Sequence, residues 1–281
     1  MILSSRPLRF AVIGNPVSHS KSPAIHQAFA EQTGIDLSYD RIQAPLDGFA
    51  KTVSDFFAEG GHGLNVTVPF KQEAWQLAAH LDERATQAQA VNTLWMKDGA
   101  LHGGNTDGLG LVNDLKRLNA RLEGAHILLV GAGGAARGVI GPLLDEGCHS
   151  LHVVNRTREK AHELVVSWPH NGRSALTSGG LHEAAREGGW DLVINASSSS
   201  LGDSPPALPQ GLYAPGALAY DMMYGAKPTP FMQQAQLDGA GAVADGLGML
   251  VGQAAESFLI WHGVRPDVAP VLSKLRNEMQ T

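Results

Sequence analysis

The sequence predicts an α/β protein with two domains, each built around a mostly parallel sheet. Three observations lead to this prediction. The chain has 281 residues, which is enough for two domains. Short apolar runs alternate with helix-compatible segments along both halves, as expected where parallel strands are joined by helices. A glycine-rich turn at residues 131–138 directly follows one of these apolar runs.

In the first half, two prolines mark helix starts. Pro23 follows Ser22, which is predicted to cap the helix, and Pro69 places Lys71 in the first turn of another. A lysine there is opposed by the helix dipole, and a broken local rule often marks a functional residue. Strands are predicted at residues 8–13, 37–42 and 64–68, with a hairpin at 92–96 and 100–102.

The second half opens with a dinucleotide-binding fingerprint. Gly131, Gly133 and Ala136 have the G-x-G-x-x-(G/A) spacing, after the apolar run 127–130 and before a helix-compatible segment. Gly131 permits a tight turn, and Gly133 lets the backbone approach a pyrophosphate. This predicts a Rossmann-type, doubly wound parallel sheet. Its strands are predicted at 126–130, 151–154, 191–194 and 217–220, and a last helix at about 248–261, whereas residues 168–190 show no clear pattern.

The end of the second strand in this half predicts the cofactor. Asn155, Arg156 and Thr157 occupy the place where an NAD-binding protein usually has an acid that binds the ribose 2′-hydroxyl. An amide, a guanidinium and a hydroxyl suit a 2′-phosphate instead, so the predicted cofactor is NADP. The alternative is a solvated turn in which Thr157 caps a helix.

Lys71 and Asp107 are the candidates for acid–base chemistry. Each follows a predicted strand, at the edge where α/β sheets bind ligands. Reduction of a ketone by hydride requires a proton donor at the oxygen, which an ammonium group could be, oriented by a carboxylate. The alternative is a surface ion pair.

Small polar residues at the same predicted edge suit a hydroxylated acid as substrate. Ser18 and Ser20 alternate along the chain, so an extended backbone would direct both hydroxyls to one side. Each such residue could instead be a helix cap or turn residue. The set comprises Ser18, Ser20, Asn65, Thr67 and Asn92.

Composition restricts the partners. A formal charge of −6 without a basic run argues against nucleic acid, and the apolar runs are too short to span a membrane. Residues 1–6 lack the pattern of a signal peptide, and the single cysteine, Cys148, fits a reducing cytoplasm. No His/Cys cluster predicts a metal site. We expect a cytoplasmic monomer or homodimer with a small-molecule substrate.

Taken together, these residues resemble the shikimate dehydrogenase family. The motifs that carry the resemblance span nearly the whole chain in the order of the family. They are residues 18–23 (SHSKSP), 65–71 (NVTVPFK), 91–93 (VNT), 104–108 (GNTDG), 131–137 (GAGGAAR), 155–157 (NRT), 221–224 (DMMY) and 246–250 (GLGML) with Gln253.

The resemblance implies two α/β domains flanking a cleft, with the C-terminal helix returning to the first. Residues 1–106 and 247–281 would form the substrate-binding domain, and residues 107–246 the NADP-binding domain. The implied reaction is the reversible NADPH-dependent reduction of 3-dehydroshikimate to shikimate, within aromatic amino-acid biosynthesis.

The resemblance also implies roles for individual residues. Lys71 and Asp107 would be the catalytic pair, and which one passes the proton stays open. The implied substrate-binding residues are Ser18, Ser20 and Tyr224 for the carboxylate, and Asn65, Thr67, Lys71, Asn92, Asp107 and Gln253 for the ring. The implied cofactor-binding residues are Gly131, Ala132, Gly133, Gly134, Ala135, Asn155, Arg156, Thr157, Ser197, Met223, Gly246 and Met249.

One segment departs from the family pattern. After Asn195 and Ala196 the chain has four serines before Leu201 and Gly202, where the family usually has Thr-Ser followed soon by Gly.

Two other functions stay open. The first alternative is a quinate/shikimate dehydrogenase, using NAD or accepting quinate, although the sequence has no acid near Asn155 that would favour NAD. The second is a catalytically silent NADP- or metabolite-sensing module, although Lys71 and Asp107 are both present.

Overall fold

The computed structural model describes residues 7–168, 175–197 and 204–280. The chain forms two compact units, the first made of Met1–Thr106 and Gln253–Ser273, and the second of Asp107–Gly252 and Lys274–Thr281. This division assigns residues 247–252 and 274–281 to the second unit, whereas the sequence analysis grouped them with the first domain. The predicted two-domain α/β fold is confirmed.

The first unit contains a six-stranded mixed sheet in the order β2-β1-β3-β5-β6-β4. The hairpin strand β5 pairs antiparallel with β3 and β6, and the other pairs are parallel. The elements are β1 (Leu8–Gly14), α1 (Ser22–Thr33), β2 (Leu37–Gln43), α2 (Phe49–Ala58), β3 (Gly61–Val66), α3 (Lys71–Leu77), β4 (His80–Leu81), α4 (Glu83–Ala88), β5 (Thr93–Lys97) and β6 (Ala100–Gly104).

The second unit contains a six-stranded parallel sheet in the order β12-β11-β10-β7-β8-β9. The elements up to β10 are α5 (Asp107–Arg117), β7 (His126–Val130), α6 (Gly134–Asp145), β8 (Ser150–Asn155), α7 (Arg158–Val166), β9 (Ala175–Gly180), a 3₁₀ turn (Leu181–Glu183) and β10 (Trp190–Asn195). They are followed by β11 (Tyr213–Asp221), α8 (Pro230–Leu237), β12 (Ala242–Asp245), α9 (Leu247–His262) and α10 (Val268–Gln280).

Strand β7 shows why its sequence is a continuous apolar run. Ile127 and Leu129 belong to one buried cluster of the second unit, and Leu128 and Val130 to another. Both faces of the strand are therefore covered, as parallel sheets require. Counted along the chain, the sheet has the 3-2-1-4-5-6 order of dinucleotide-binding folds, with the switch point at β7 and β10.

The structure corrects the sequence analysis at several elements. Strands β4, β9 and β12 and helix α10 were not predicted. The three strands lie at sheet edges and contain few buried residues, so they lack the apolar run that identifies a central strand. The prediction that Ser22 caps α1 is also wrong, because Ser22 is the first helical residue and Lys21 precedes it as the cap.

Candidate active site

In the first unit, the carboxyl ends of β1 and β3 lie side by side. Ile13 pairs with Val66, and the Thr67 N–H donates to the Ile13 carbonyl at 2.9 Å. The Asn15 N–H in turn donates to the Val68 carbonyl at 3.0 Å. The turn after β1, which leads to Ser18 and Ser20, therefore starts beside Thr67, as parallel strands predict.

Ser18 and Ser20 do not lie in extended backbone, so the argument that their hydroxyls alternate is wrong. The Ser20 N–H donates to the Val17 carbonyl at 3.1 Å, closing a turn around Ser18 and His19. Arg41 holds this turn with two donors to the Ser20 carbonyl, at 3.0 and 2.6 Å. Ser18 is exposed and Ser20 half-buried. Their predicted contact with a carboxylate stays a prediction.

Three predicted substrate residues of this unit, Asn65, Asn92 and Gln253, share one hydrogen-bond network. Asn65 Nδ2 donates to the Asn92 carbonyl at 3.2 Å, and Asn92 Nδ2 lies 3.3 Å from Gln253 Oε1. Asn65 is 5% exposed and Asn92 is 2% exposed. The amide groups are therefore held in defined positions by the protein itself.

Lys71 and Asp107 each begin a helix, Lys71 in the first unit and Asp107 in the second. Lys71 is half-buried, and its carbonyl accepts from the Val91 N–H at 2.8 Å, next to Asn92 in sequence. Asp107 is 5% exposed and follows Thr106. A carboxylate at the start of a helix is favoured by the helix dipole, whereas an ammonium is not.

The glycine turn of the second unit leaves open space at the start of α6. Gly131 has φ 120°, and a Cβ there would lie 3.1 Å from the backbone of Ala196 and Ser197. Gly133 and Gly134 have no atom within 4 Å of a Cβ position, and no side chain caps the start of α6. The first N–H groups of α6 are therefore accessible beside open space, which fits a bound anion. Ala132 and Ala135 are half-buried in the same turn.

The residues after β8 leave a guanidinium and a hydroxyl accessible to solvent. Asn155 Nδ2 donates to the Thr157 carbonyl at 2.8 Å, which holds the turn. Arg156 and Thr157 are exposed, and the Thr157 side chain does not cap α7. Thr157 is the N-cap residue of α7 without a side-chain capping bond, so only that detail of the alternative is wrong, and the exposed turn is compatible with both interpretations. The next arginine, Arg158, is instead paired with Glu183 at 2.9 Å.

Two buried polar residues that the site prediction omitted, Asn195 and Asp221, organise the loops after β10 and β11. Asn195 Oδ1 accepts from the N–H and hydroxyl of Ser197, at 3.1 and 2.6 Å, while its Nδ2 donates to Asp221 Oδ1 at 3.1 Å. Asp221 also accepts from the Met223 N–H at 3.1 Å and from Thr229 Oγ1 at 2.6 Å. A polar residue closing a buried apolar strand was the signal available in the sequence.

Three of the predicted cofactor-binding residues, Met223, Gly246 and Met249, which the resemblance assigns to the nicotinamide pocket, lie close to the same loops. A Cβ on Gly246 would overlap the Met222 carbonyl oxygen, so only glycine fits there. The Gly246 N–H donates to the Met223 carbonyl at 3.0 Å, whereas Met249 packs into the unit's core with 9% exposure. Burial, assisted by the charge of Asp245, raises the pKa of Tyr224, so its hydroxyl stays a donor.

Helix α10 holds the segment around Gly246. Arg276 donates to both carboxylate oxygens of Asp245, at 2.7 and 2.5 Å. Asp245 Oδ1 also accepts from the Leu247 N–H at 3.2 Å. No local sequence pattern indicates this contact, because Asp245 and Arg276 are far apart along the chain.

Residues 198–202, where the sequence departs from the family pattern, lie outside the described part of the chain. Within residues 7–168, 175–197 and 204–280, no group of three or more His, Cys, Asp or Glu side chains could hold a metal ion. In those same ranges, no helix has the length and apolar character needed to cross a bilayer.

Three family models match the chain in order. They are the shikimate dehydrogenase substrate binding domain at residues 12–94, shikimate/quinate 5-dehydrogenase at residues 114–201, and the shikimate 5′-dehydrogenase C-terminal domain at residues 246–276. The first of these models contains Ser18, Asn65 and Lys71, and the second contains the glycine turn.

Curated relatives and solved structures agree with these matches. Shikimate dehydrogenase (NADP(+)) from Bordetella petrii is 64% identical over 95% of both chains, and that from Bordetella avium is 62% identical over 98% of both. The structure of shikimate 5-dehydrogenase from Thermus thermophilus in complex with NADP(H) and shikimate is 33% identical. Its TM-score is 0.85, over 96% of this chain and 99% of that one. The chain therefore belongs to the shikimate dehydrogenase family.

Proposed function

We propose that this chain catalyses the reversible, NADPH-dependent reduction of 3-dehydroshikimate to shikimate. The observation that carries the proposal is the 64% identity to a shikimate dehydrogenase (NADP(+)) over 95% of both chains. The relatives bearing this name confirm the sequence-based predictions of an oxidoreductase of this family and of NADP as cofactor. The Thermus thermophilus relative is named as a complex with shikimate, which supports a small-molecule substrate for this chain.

The residues of the second unit fit NADP. The open backbone at Gly133 and Gly134 and the uncapped start of α6 suit a pyrophosphate. Arg156 and Thr157, both exposed, would bind the 2′-phosphate with charge-assisted hydrogen bonds. Met223, Gly246 and Met249 would line the nicotinamide pocket, and Ser197 would also contact the cofactor. When bound, NADPH supplies the hydride that the carbonyl carbon accepts.

Residues of the first unit, together with Asp107 and Tyr224 of the second, would bind and protonate the substrate. Ser18 and Ser20 would bind the carboxylate, together with the neutral Tyr224 hydroxyl. Asn65, Thr67, Asn92 and Gln253 would bind ring hydroxyls through groups that the fold holds in place. Lys71 or Asp107 would deliver the proton to the carbonyl oxygen as the hydride adds to its carbon, so that charge does not accumulate on the oxygen.

Two further parts of the proposal are the roles of the two domains and the place of the reaction in the cell. Residues 1–106 and 247–281 would bind the substrate and residues 107–246 the cofactor. The reaction would serve aromatic amino-acid biosynthesis in the cytoplasm, carried out by a monomer or homodimer without nucleic-acid or membrane partners.

A substrate panel against both cofactors tests the proposal. Purified protein is mixed with NADP or NAD and with shikimate or quinate, and absorbance of the reduced nicotinamide is followed. We expect the largest kcat/KM for shikimate with NADP. A larger value for quinate, or for NAD, would favour a quinate/shikimate dehydrogenase, and no turnover with any pair, despite measurable NADP binding, would favour a sensing module.

A further inference from the structure

The amide network of the first unit depends on two buried side chains that the proposed mechanism does not use. We propose that Tyr39 and Ser257 are positioning residues that hold the Asn65 amide in the orientation needed to accept a hydrogen bond from a substrate hydroxyl. The inference rests on the proposed function, because that function places Asn65 against the substrate.

Tyr39 fixes the oxygen side of the amide. Its hydroxyl donates to Asn65 Oδ1 at 2.7 Å, and the residue is 8% exposed. The Tyr39 ring is stacked on His26, with ring centroids 4.3 Å apart and an interplanar angle of 8°. Burial raises the pKa of Tyr39 well above its ordinary value, with Ser22 acting weakly in the other direction. The hydroxyl therefore remains a donor across the working pH range.

Ser257 fixes the nitrogen side. Asn65 Nδ2 donates to Ser257 Oγ at 2.9 Å, and Thr93 Oγ1 lies 2.8 Å from the same oxygen. The Ser257 hydroxyl donates to the carbonyl of Gln253, one helical turn earlier on α9, at 3.1 Å. Ser257 is fully buried, so water does not replace these partners. One hydroxyl thus links an amide on β3 to the helix that carries Gln253.

The partners of Asn65 determine what it can offer a ligand. Its two N–H hydrogens face three acceptors, the Ser257 hydroxyl, the Asn92 carbonyl at 3.2 Å and Thr93 Oγ1 at 3.3 Å. Its Oδ1 accepts from Tyr39, and a carbonyl oxygen has a second lone pair. Asn65 can therefore act towards a hydroxylated ring as an acceptor, and a 180° rotation of the amide would remove that ability.

The kinetic test uses Tyr39→Phe and Ser257→Ala, with shikimate and with analogues that each lack one ring hydroxyl. The matched control is Tyr213→Phe, which removes the hydroxyl of a half-buried tyrosine in the second unit. We expect the KM for shikimate to rise about five- to tenfold in each test variant, the effect of about one hydrogen bond. The KM for NADP should stay unchanged. The analogue that lacks the hydroxyl bound by Asn65 should show the same rise in KM already with the wild type, and its KM should not rise further in Tyr39→Phe.

A parallel measurement does not depend on activity. In the ligand-free full chain, the side-chain amide signals of Asn65 should be resolved by NMR and slow to exchange in wild type and Tyr213→Phe. Exchange should be at least about tenfold faster in Tyr39→Phe, where the Oδ1 donor is lost. If wild type does not oxidise shikimate, the proposed function fails, while this measurement still decides whether Tyr39 holds the amide.

Two results would overturn the inference. One is a loss that is equal for shikimate, every analogue and NADP, which would indicate a general effect on folding. The other is an unchanged KM for shikimate together with unchanged amide exchange in Tyr39→Phe.

Discussion

The strand ends of the first unit and the glycine turn of the second present opposite kinds of surface to their predicted ligands. In the first unit, Asn65 and Asn92 are almost fully buried and already hydrogen-bonded to neighbouring side chains. In the second, Gly133 is exposed, with no atom within 4 Å of a Cβ position, and Arg156 extends into solvent. The first region presents buried, hydrogen-bonded side chains, and the second presents exposed backbone and an exposed guanidinium.

The difference follows from what each ligand offers. A substrate with several hydroxyls is distinguished by the direction of each hydrogen bond, so its binding groups must be held in fixed orientations. A dinucleotide brings its own charge, which helix N–H groups and a guanidinium can bind without a rigid arrangement of side chains. We therefore expect substitutions in the first unit to affect chemistry, substrate and stability, and those at the exposed positions Gly133 and Arg156 of the second to affect the cofactor alone.

The largest effect is expected at Lys71. Lys71→Ala should lower kcat by about 10²–10⁴, the usual contribution of one acid–base group, while substrate binding weakens little. Stopped-flow or steady-state assays with shikimate and NADP measure it. Lys51→Ala, which removes an exposed lysine of α2, is the control. Near-normal turnover in Lys71→Ala would exclude Lys71 from the chemistry.

The buried side chains of the first unit also predict that the stability of the fold is lost in acid. His26 is fully buried among aromatic rings, and neither ring nitrogen has a hydrogen-bond partner of normal geometry among the described residues. Burial lowers the pKa of His26 to about 3, opposed by the nearby Asn65 amide and assisted by His262. Because the folded state disfavours the proton, stability is fully present above the unfolded pKa of 6.5 and is lost as pH falls towards 3.

The expected loss over that window is about 3–5 kcal/mol, at about 1.4 kcal/mol per pKa unit. Urea unfolding at several pH values measures it, followed by the fluorescence of Trp261, whose ring lies 5.4 Å from His26. His26→Phe should remove most of this slope. A slope of equal size in wild type and His26→Phe would assign the acid sensitivity to other groups.

A side chain introduced at Gly133 would fill the open space at the start of α6. Gly133→Val should weaken NADP binding about 10²-fold, because the side chain keeps the backbone away from the pyrophosphate. Stability should change by no more than about 1 kcal/mol, since Gly133 has φ −87° and ψ −171°, which any residue adopts. Gly131→Ala should instead destabilise the apo protein by about 1–3 kcal/mol because of its positive φ. Isothermal titration and thermal unfolding separate the two outcomes, and tight NADP binding by Gly133→Val would place the pyrophosphate elsewhere.

Substitution of Arg156 tests whether the turn after β8 binds the 2′-phosphate of NADP. Arg156→Ala should weaken NADP about ten- to a hundredfold and leave NAD unchanged, with a penalty that shrinks as salt rises. Arg158→Ala removes an equal charge that is already paired with Glu183, so its effect should be smaller. Specificity constants for both cofactors in the three proteins decide the matter. Equal losses for NADP and NAD in Arg156→Ala would contradict the assignment.

The smallest effect is expected at the serine turn. Ser18→Ala or Ser20→Ala should raise the KM for shikimate about fivefold, the effect of losing about 1 kcal/mol of hydrogen bonding. An analogue without the carboxylate should be indifferent to both changes. Ser54→Ala, on the exposed side of α2, is the control. Equal losses for shikimate and the analogue would give these serines another role.

The sequence by itself determined the features that depend on short stretches of chain. The continuous apolar run before Gly131 reflects burial on both faces of β7, and the glycine spacing reflects the backbone conformation of one turn. The absence of an acid at Asn155 likewise depends on one position. Periodicity and local steric limits act over a few residues, so they can be read without the fold.

Only the tertiary structure decided which distant residues meet. Ser257 reaches Asn65, and Arg276 reaches Asp245, across separations that no local pattern encodes. The serine turn is closed by the Ser20 N–H donating to the Val17 carbonyl, and Arg41 of β2 donates to the Ser20 carbonyl, a contact that the local sequence does not reveal. The edge strands β9 and β12 form through pairing with a neighbour more than through burial of their own side chains, so their sequences carry little signal.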